Sequence, residues 1–213
     1  MIMTPIESYY EKTAASLIRN LEKRGFEACY CADKESASAK ALEMIKEGSC
    51  VTWGGSVSIA ECGLTEALDS EKYHILDRTK AKDREETMEI YRRAFSADYY
   101  LMSTNAITKE GELVNVDGNG NRVAALIFGP KQVIILAGMN KVVDDVDTAL
   151  KRIRHLAAPV NAMRLKRSTP CAGTGACADC LSPDCICSHT VVTRRSGIPG
   201  RIKVILVGET LGY

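Results

Sequence analysis

Cysteine is concentrated in one short segment of this sequence. Five of the nine cysteines lie within seventeen residues: Cys171, Cys177, Cys180, Cys185 and Cys187. The residues between them are mostly small or turn-forming, so we expect a flexible loop dense in soft ligands. Proteins use loops of this kind to hold a metal ion or an iron–sulfur cluster.

A disulfide knot is the alternative use for so many cysteines. The first residues, Met1-Ile-Met-Thr-Pro-Ile, lack the basic start and apolar core of a secretory signal. We therefore expect a cytoplasmic protein whose thiols stay reduced, and we favour a bound metal over disulfides.

Charge and hydropathy restrict the partners of the chain. The 28 basic and 27 acidic residues nearly cancel, so we expect no nucleic acid and no anionic membrane surface as a partner. No apolar stretch approaches the roughly 20 residues that span a bilayer. The basic cluster Arg164–Arg167 adjoins the cysteines; a solvated helix end is favoured there over charge balance beside an anionic site.

Apolar periodicity alternates between helix and strand along the chain, which predicts a mostly parallel α/β sheet flanked by helices. The run 131–137 is the most apolar and is predicted to be a central strand. A helix is predicted from Val143 to Ala157, limited by Pro159. The 213 residues predict one domain, 1–213, with a cysteine-rich insert at 168–190 before the last strand, 203–207.

Two polar, glycine-rich elements follow predicted strands and are expected to meet at one edge of the sheet. The first, Gly54–Ser56, offers backbone N–H groups at a helix start, although a tight turn with a serine cap explains it equally well. The second extends from Ser103 to Arg122, where Asx turns of an ordinary hairpin are the alternative. The predicted ligand-binding residues are Gly54, Gly55, Ser56, Thr104, Asn105, Asn115, Asp117, Gly118, Gly120, Asn121, Arg122, Asn140 and Lys141.

Several long motifs resemble the LUD (lactate-utilization) domain family. They are Trp53–Ser56, Ser103–Thr108, Gly111–Gly118, Gly120–Ala125, Phe128–Lys131 and Ala137–Lys141. The resemblance covers nearly the whole chain and implies a NagB/RpiA/CoA-transferase-like α/β fold. It also implies a link to L-lactate oxidation through iron–sulfur proteins.

The branch with a C-x5-C-x2-C-x6-C insert is the one that this chain resembles, and the pattern selects Cys171, Cys177, Cys180 and Cys187 as metal ligands. Cys185 stands where relatives usually carry another residue, so we expect it to be spare. The likeness favours a [4Fe–4S] cluster, with structural zinc as the alternative. The scattered Cys29, Cys31, Cys50 and Cys62 are expected to be core thiols.

Three functions remain open from the sequence. The first is an iron–sulfur LUD protein that supports oxidation of lactate or a related small organic acid, working with other iron–sulfur redox subunits. The second is a pocket enzyme for an anionic acyl or phosphate metabolite, and the third is a sensor, both with a structural zinc insert. In each case a small anionic metabolite is the ligand, and homo-oligomer formation is left open.

Overall fold

A computed structural model describes residues 3–213 of the chain. The strands in this part form a six-stranded sheet and a four-stranded sheet. They are β1 (Glu27–Cys31), β2 (Cys50–Trp53), β3 (His74–Leu76), β4 (Tyr99–Met102), β5 (Ala106–Thr108), β6 (Leu113–Asp117), β7 (Gln132–Gly138), β8 (Val142–Val143), β9 (His189–Thr193) and β10 (Ile202–Val207).

Most helices connect one strand to the next. They are α1 (Pro5–Lys23), α2 (Lys34–Glu43), α3 (Val57–Glu61), α4 (Leu64–Ala67), α5 (Arg84–Arg93), α6 (Asn121–Ile127), α7 (Val146–Arg152), α8 (Ala158–Arg164) and α9 (Pro170–Thr174). A capping box begins α1: Glu7 N–H donates to Thr4 Oγ1, and Thr4 N–H donates to the Glu7 carboxylate. Between residues 3 and 213, no helix combines the length and the apolar character needed to cross a membrane.

The six-stranded sheet is parallel throughout, in the order β1-β10-β7-β4-β2-β3. Residues Val133–Ala137 of β7 are fully buried, as expected for a central strand covered on both faces. Ile135 packs on the α1 side of the sheet with Leu17, and Ile134 packs on the opposite side with Leu64 of α4. The predicted α/β fold with a mostly parallel sheet is confirmed.

The four-stranded sheet has the order β8-β5-β6-β9 and interrupts the alternation. Its strand β9 was not predicted, because this edge strand is half-exposed and has a weak apolar signal. The cysteine segment therefore precedes β9 rather than the last strand. Asp117 at the end of β6 pairs with His189 at the start of β9, which places the cysteine segment beside the turn that follows β6.

The prediction that a helix ends near Pro159 is wrong. A π-helical turn, Ile153–Ala157, joins α7 to α8, and the helical path continues to Arg164. Proline cannot donate an N–H to the helix, and its ring crowds the preceding turn. A wider π-helical turn before Pro159 makes room for the ring and accommodates the missing hydrogen bond. The extra turns bring Arg164 to the edge of the sheet where the strands end.

Candidate functional site

A cleft with a volume of about 640 Å³ opens at the carboxyl edge of the parallel sheet. The loops after β2, β4 and β7 meet there because parallel strands end at the same edge. Nine of the thirteen residues predicted to bind a ligand line this cleft: Gly55, Ser56, Thr104, Asn105, Asp117, Gly118, Asn121, Arg122 and Lys141. The topology thus brings the two glycine-rich elements together.

The other four predicted residues lie outside the lining: Gly54, Asn115, Gly120 and Asn140. Asn115 is fully buried, and its side-chain oxygen accepts a hydrogen bond from Arg122. Asn140 Oδ1 accepts the backbone N–H of Leu211 at 3.1 Å. Gly120 has a φ of +81° at the start of α6, a conformation that favours glycine. In this structure these residues shape the walls of the cleft.

Arg122 holds the cleft wall together. Each of the five N–H donors of a guanidinium group has a partner here. The acceptors are the Asp117 carboxylate at 3.2 Å, Asn115 Oδ1 at 2.5 Å, Asn105 Oδ1 at 3.1 Å, and the backbone oxygens of Ser103 at 3.2 Å and Val116 at 2.8 Å. Because no donor is left over, Arg122 contributes positive charge to the cleft rather than a hydrogen bond to a ligand.

Lys141 is the buried amine of the cleft, with 3% of its surface exposed. Its Nζ donates to Ser58 Oγ at 2.7 Å and to Ser103 Oγ at 2.9 Å. Within the described residues it forms no salt bridge. Burial, followed by the positive charges of Arg152 and Arg122, lowers the pKa of Lys141 to about 7. The amine can therefore gain or lose a proton near neutral pH.

Positive charge predominates around the cleft. Six basic side chains line it, against two aspartates. Asp117 pairs with Arg122, and Asp184 pairs with Arg167 at 2.9 Å. The remaining basic side chains of the lining are Arg78, Arg84, Lys141 and Arg164. An excess of positive charge in a concave site attracts anions.

Arg78 has a fixed position in this lining. Its Nη1 donates to the Tyr91 hydroxyl at 2.6 Å. A Cβ atom on Gly55 would collide with the guanidinium group. Glycine at this position therefore allows the arginine to lie directly on the loop that follows β2.

The cysteine segment forms one side of the cleft through Pro183–Ile186. Asp184 anchors it by accepting hydrogen bonds from Arg167 Nη1 at 2.9 Å and from Ser168 N–H at 2.6 Å. A Cβ atom on Gly118 would lie 3.2 Å from Ile186 Cα, so glycine allows the segment to pack closely on the turn after β6. Cys185, which the sequence pattern left as spare, belongs to this wall.

All nine cysteines are free thiols in the structure. Cys187 N–H donates to Cys185 Sγ at 3.3 Å. Burial, followed by the influence of Cys185 and then of Cys171 and Cys177, raises the pKa of Cys187 to about 12. Cys185, Cys171 and Cys177 therefore lie near enough to Cys187 to affect it.

The chemistry of the cysteine segment fits a metal or a cluster, because thiolates are ligands of both. Across residues 3–213, no group of three or more His, Cys, Asp or Glu side chains has the arrangement of a metal site. The assignment of Cys171, Cys177, Cys180 and Cys187 as metal ligands stays a prediction.

The model of the LUD domain family matches residues 14–207. This chain belongs to the LUD domain family. A DUF162 family protein from Deinococcus radiodurans has a similar structure, with a TM-score of 0.54 and 14% identity, covering 93% of this chain and 98% of that chain. At this identity the likeness shows a shared fold alone.

Two other structures show weaker likeness to this LUD domain. eIF2B beta from Chaetomium thermophilum has a TM-score of 0.35 and 16% identity, covering 54% of this chain and 44% of that chain. A Pseudomonas malonate decarboxylase hetero-tetramer, in complex with malonate, has a TM-score of 0.38 and 14% identity, covering 67% of this chain and 35% of that chain. No curated protein matched significantly.

The cleft of this LUD domain also contains residues that were not predicted from the sequence: Ser58, Arg78, Arg84, Ser103, Arg164, Gly212 and Tyr213. Arg78 follows β3, so the strand-end rule used for the other loops would have found it. Arg164 was noticed, but the favoured interpretation was a solvated helix end. No feature of the sequence indicated that Arg84, at the start of a helix, lies in the cleft.

The remaining thiols of this LUD domain are half-buried or buried, in line with their expected place in the core. Burial raises the pKa of Cys29 and of Cys62 to about 11. A thiol with a raised pKa has little thiolate at neutral pH and is a poor nucleophile.

Proposed function

We propose that this LUD protein binds a [4Fe–4S] cluster beside a small organic acid and supports the oxidation of lactate or a related acid. One observation carries the proposal: Pro183–Ile186 of the cysteine segment forms a wall of the positively charged cleft. A cluster bound by that segment would lie next to the ligand.

Cys171, Cys177, Cys180 and Cys187 are the ligands that we assign to the cluster, which supplies one-electron redox chemistry when bound. Thiolates are the donors that such clusters use. Arg167 and Asp184 form an ion pair at 2.9 Å that holds the segment beside the cleft.

The residues of the cleft are suited to bind a carboxylate. Lys141 and the hydroxyl groups of Ser58 and Ser103 offer donors deep in the cleft, and Arg78, Arg84 and Arg164 attract an anion into it. Lys141, whose pKa is about 7, can hold or release the proton that accompanies oxidation of a hydroxyl group.

Anaerobic purification of the wild-type chain tests this proposal. We expect a brown protein with iron and acid-labile sulfide in equal amounts, and a smaller iron content after any of the four Cys→Ser changes. Calorimetric titration with L-lactate should show binding that weakens in Lys141→Met. Protein that carries no iron, whether or not it carries zinc, would contradict the proposal.

A second candidate is a pocket enzyme or sensor for a larger anionic metabolite, with zinc as a structural staple. The observation in its favour is the volume of about 640 Å³, which suits a molecule much larger than lactate. Zinc without iron, and thermal shifts with a sugar phosphate or coenzyme A but none with lactate, would select this candidate. Arg84→Ala should weaken such binding without affecting folding, since Arg84 is exposed.

A further inference from the structure

We propose that Lys141 is a carbonyl-reactive amine that forms a reversible imine with a 2-oxo acid bound in the cleft. This inference goes beyond the proposed function, because it requires neither a cluster nor electron transfer. It assigns a covalent role to one side chain and a chemical class to its ligand.

The surroundings of Lys141 are those of a nucleophile rather than of an ion pair. Its two hydrogen-bond partners, Ser58 and Ser103, are neutral hydroxyl groups at 2.7 and 2.9 Å. The described residues provide it with no salt-bridge partner. A buried lysine without a carboxylate partner gains little from remaining charged.

Gly212 keeps space open next to this amine. It has a φ of +53°, and a Cβ atom there would lie 2.8 Å from Ser58 Oγ and 3.7 Å from Lys141 Nζ. A side chain there would collide with Ser58 Oγ and lie in contact with the amine. Glycine therefore leaves the amine facing the cleft, which both residues line.

The neutral amine is the reactive form, since imine formation needs its lone pair. Two cations, Arg152 and Arg122, add to the effect of burial and bring the pKa of Lys141 to about 7. A lysine with its ordinary pKa of about 10.4 is almost entirely protonated at neutral pH. Burial and neighbouring cations are a known means of activating a lysine for carbonyl chemistry.

The reaction balances without any other reagent. The positive lining draws in the carboxylate of the 2-oxo acid, and the Nζ lone pair forms a bond to the adjacent carbonyl carbon. Both hydrogens of the amine pass to the carbonyl oxygen, with the hydroxyl groups of Ser58 and Ser103 placed to relay them. The C=O bond breaks, a C=N bond forms, and one water leaves with no change in oxidation state.

Reductive trapping tests the proposal directly. The full chain is incubated with pyruvate and sodium cyanoborohydride at pH 7, and peptide mass spectrometry then locates the adduct. We expect one reduced pyruvate on Lys141, with about tenfold or more labelling relative to any exposed lysine. Lactate, which has no carbonyl group, should give no adduct.

Two variants sharpen the result. Lys141→Arg keeps the positive charge but cannot form the imine, so its adduct should disappear. Lys109→Arg, at an exposed lysine paired with Asp144, should label like the wild type. Labelling that is absent, spread evenly over exposed lysines, or unchanged in Lys141→Arg would overturn the proposal.

Mapping the adduct on the wild-type chain decides the question even if Lys141→Arg fails to fold. The outcome is also separate from that of the proposed function. If protein without iron still labels at Lys141, the cluster proposal is wrong and the imine proposal stands. If iron-loaded protein gives no label, the imine proposal is wrong and the cluster proposal stands.

Discussion

Arg167 donates to the carboxylate of Asp184 across 2.9 Å, and the same carboxylate accepts the N–H of Ser168 at 2.6 Å. The end of the long helical path and the cysteine segment are thereby joined at the cleft. One aspartate thus positions the wall that carries Cys185.

Replacing Asp184 with alanine should loosen the cysteine segment and leave the core intact. Half-exposed ion pairs contribute little to global stability, so the melting temperature should barely change. Hydrogen exchange measured by mass spectrometry should speed up at residues 183–187. Asp144→Ala is the matched control, because its exposed pair with Lys109 lies outside both the cysteine segment and the lining of the cleft.

Acidity should loosen the segment in the same way. The N–H of Ser168, ahead of Arg167, lowers the pKa of Asp184. A carboxyl group with a lowered pKa stabilises the fold above its ordinary pKa and loses that effect as the pH falls through the lowered value. The protection of residues 183–187, measured as their exchange rate relative to that of an unfolded chain at the same pH, should therefore fall towards acidic pH in the wild type but not in Asp184→Ala. Equal acid responses in the two proteins would contradict the assignment.

Cys185→Ser should retain the metal of the wild type, whereas Cys187→Ser should lose it. The reason is that only Cys187 belongs to the four assigned ligands, although the two residues are in contact. Iron and zinc counts on anaerobically purified protein check this prediction. Loss of metal from Cys185→Ser would instead make Cys185 a ligand, and the wall of the cleft part of the metal centre.

Lys141→Met should change how stability depends on pH. Because the pKa of Lys141 is lowered to about 7, the unfolded chain binds more protons than the folded chain above that pH. Wild-type stability should therefore rise relative to the variant, by about 2 kcal/mol between pH 7 and pH 9. Urea unfolding at the two pH values measures this, with Lys46→Met as the control at an exposed lysine. Parallel pH curves for wild type and Lys141→Met would rule out the lowered pKa.

Arg122→Lys should destabilise the protein by about 3 kcal/mol, since a single amine cannot replace five donors and buried acceptors would be left unpaired. Denaturant unfolding checks the size of the effect. Arg84→Lys, at an exposed position of the same lining, should leave stability unchanged. If Arg122→Lys lowers the free energy of unfolding by less than about 1 kcal/mol, the hydrogen-bond network around Asn115 is not required for stability.

The order of the parallel strands explains why much of the cleft could be predicted from the sequence. Ser56, Asn105 and Lys141 each follow a strand with a clear apolar signal, and parallel topology then places them together. Arg164 could not be placed in this way, because its position depends on a π-helical turn, whereas Pro159 argued for a helix end. Arg122 showed its polarity in the sequence, but its five partners come from two separate segments, 103–105 and 115–117, and this convergence is visible only in three dimensions.

The position of β10 has a consequence for how the chain folds. This strand comes last among those described, yet it lies between β1 and β7 and pairs with both. During synthesis, β1 has no neighbour in the sheet until residues 202–207 have left the ribosome. Until then, the nascent chain has an open, apolar sheet edge. Such an edge promotes wrong pairing or chaperone binding. Completion of the sheet is a late, long-range event, so we expect slow folding and a strong dependence on the last strand.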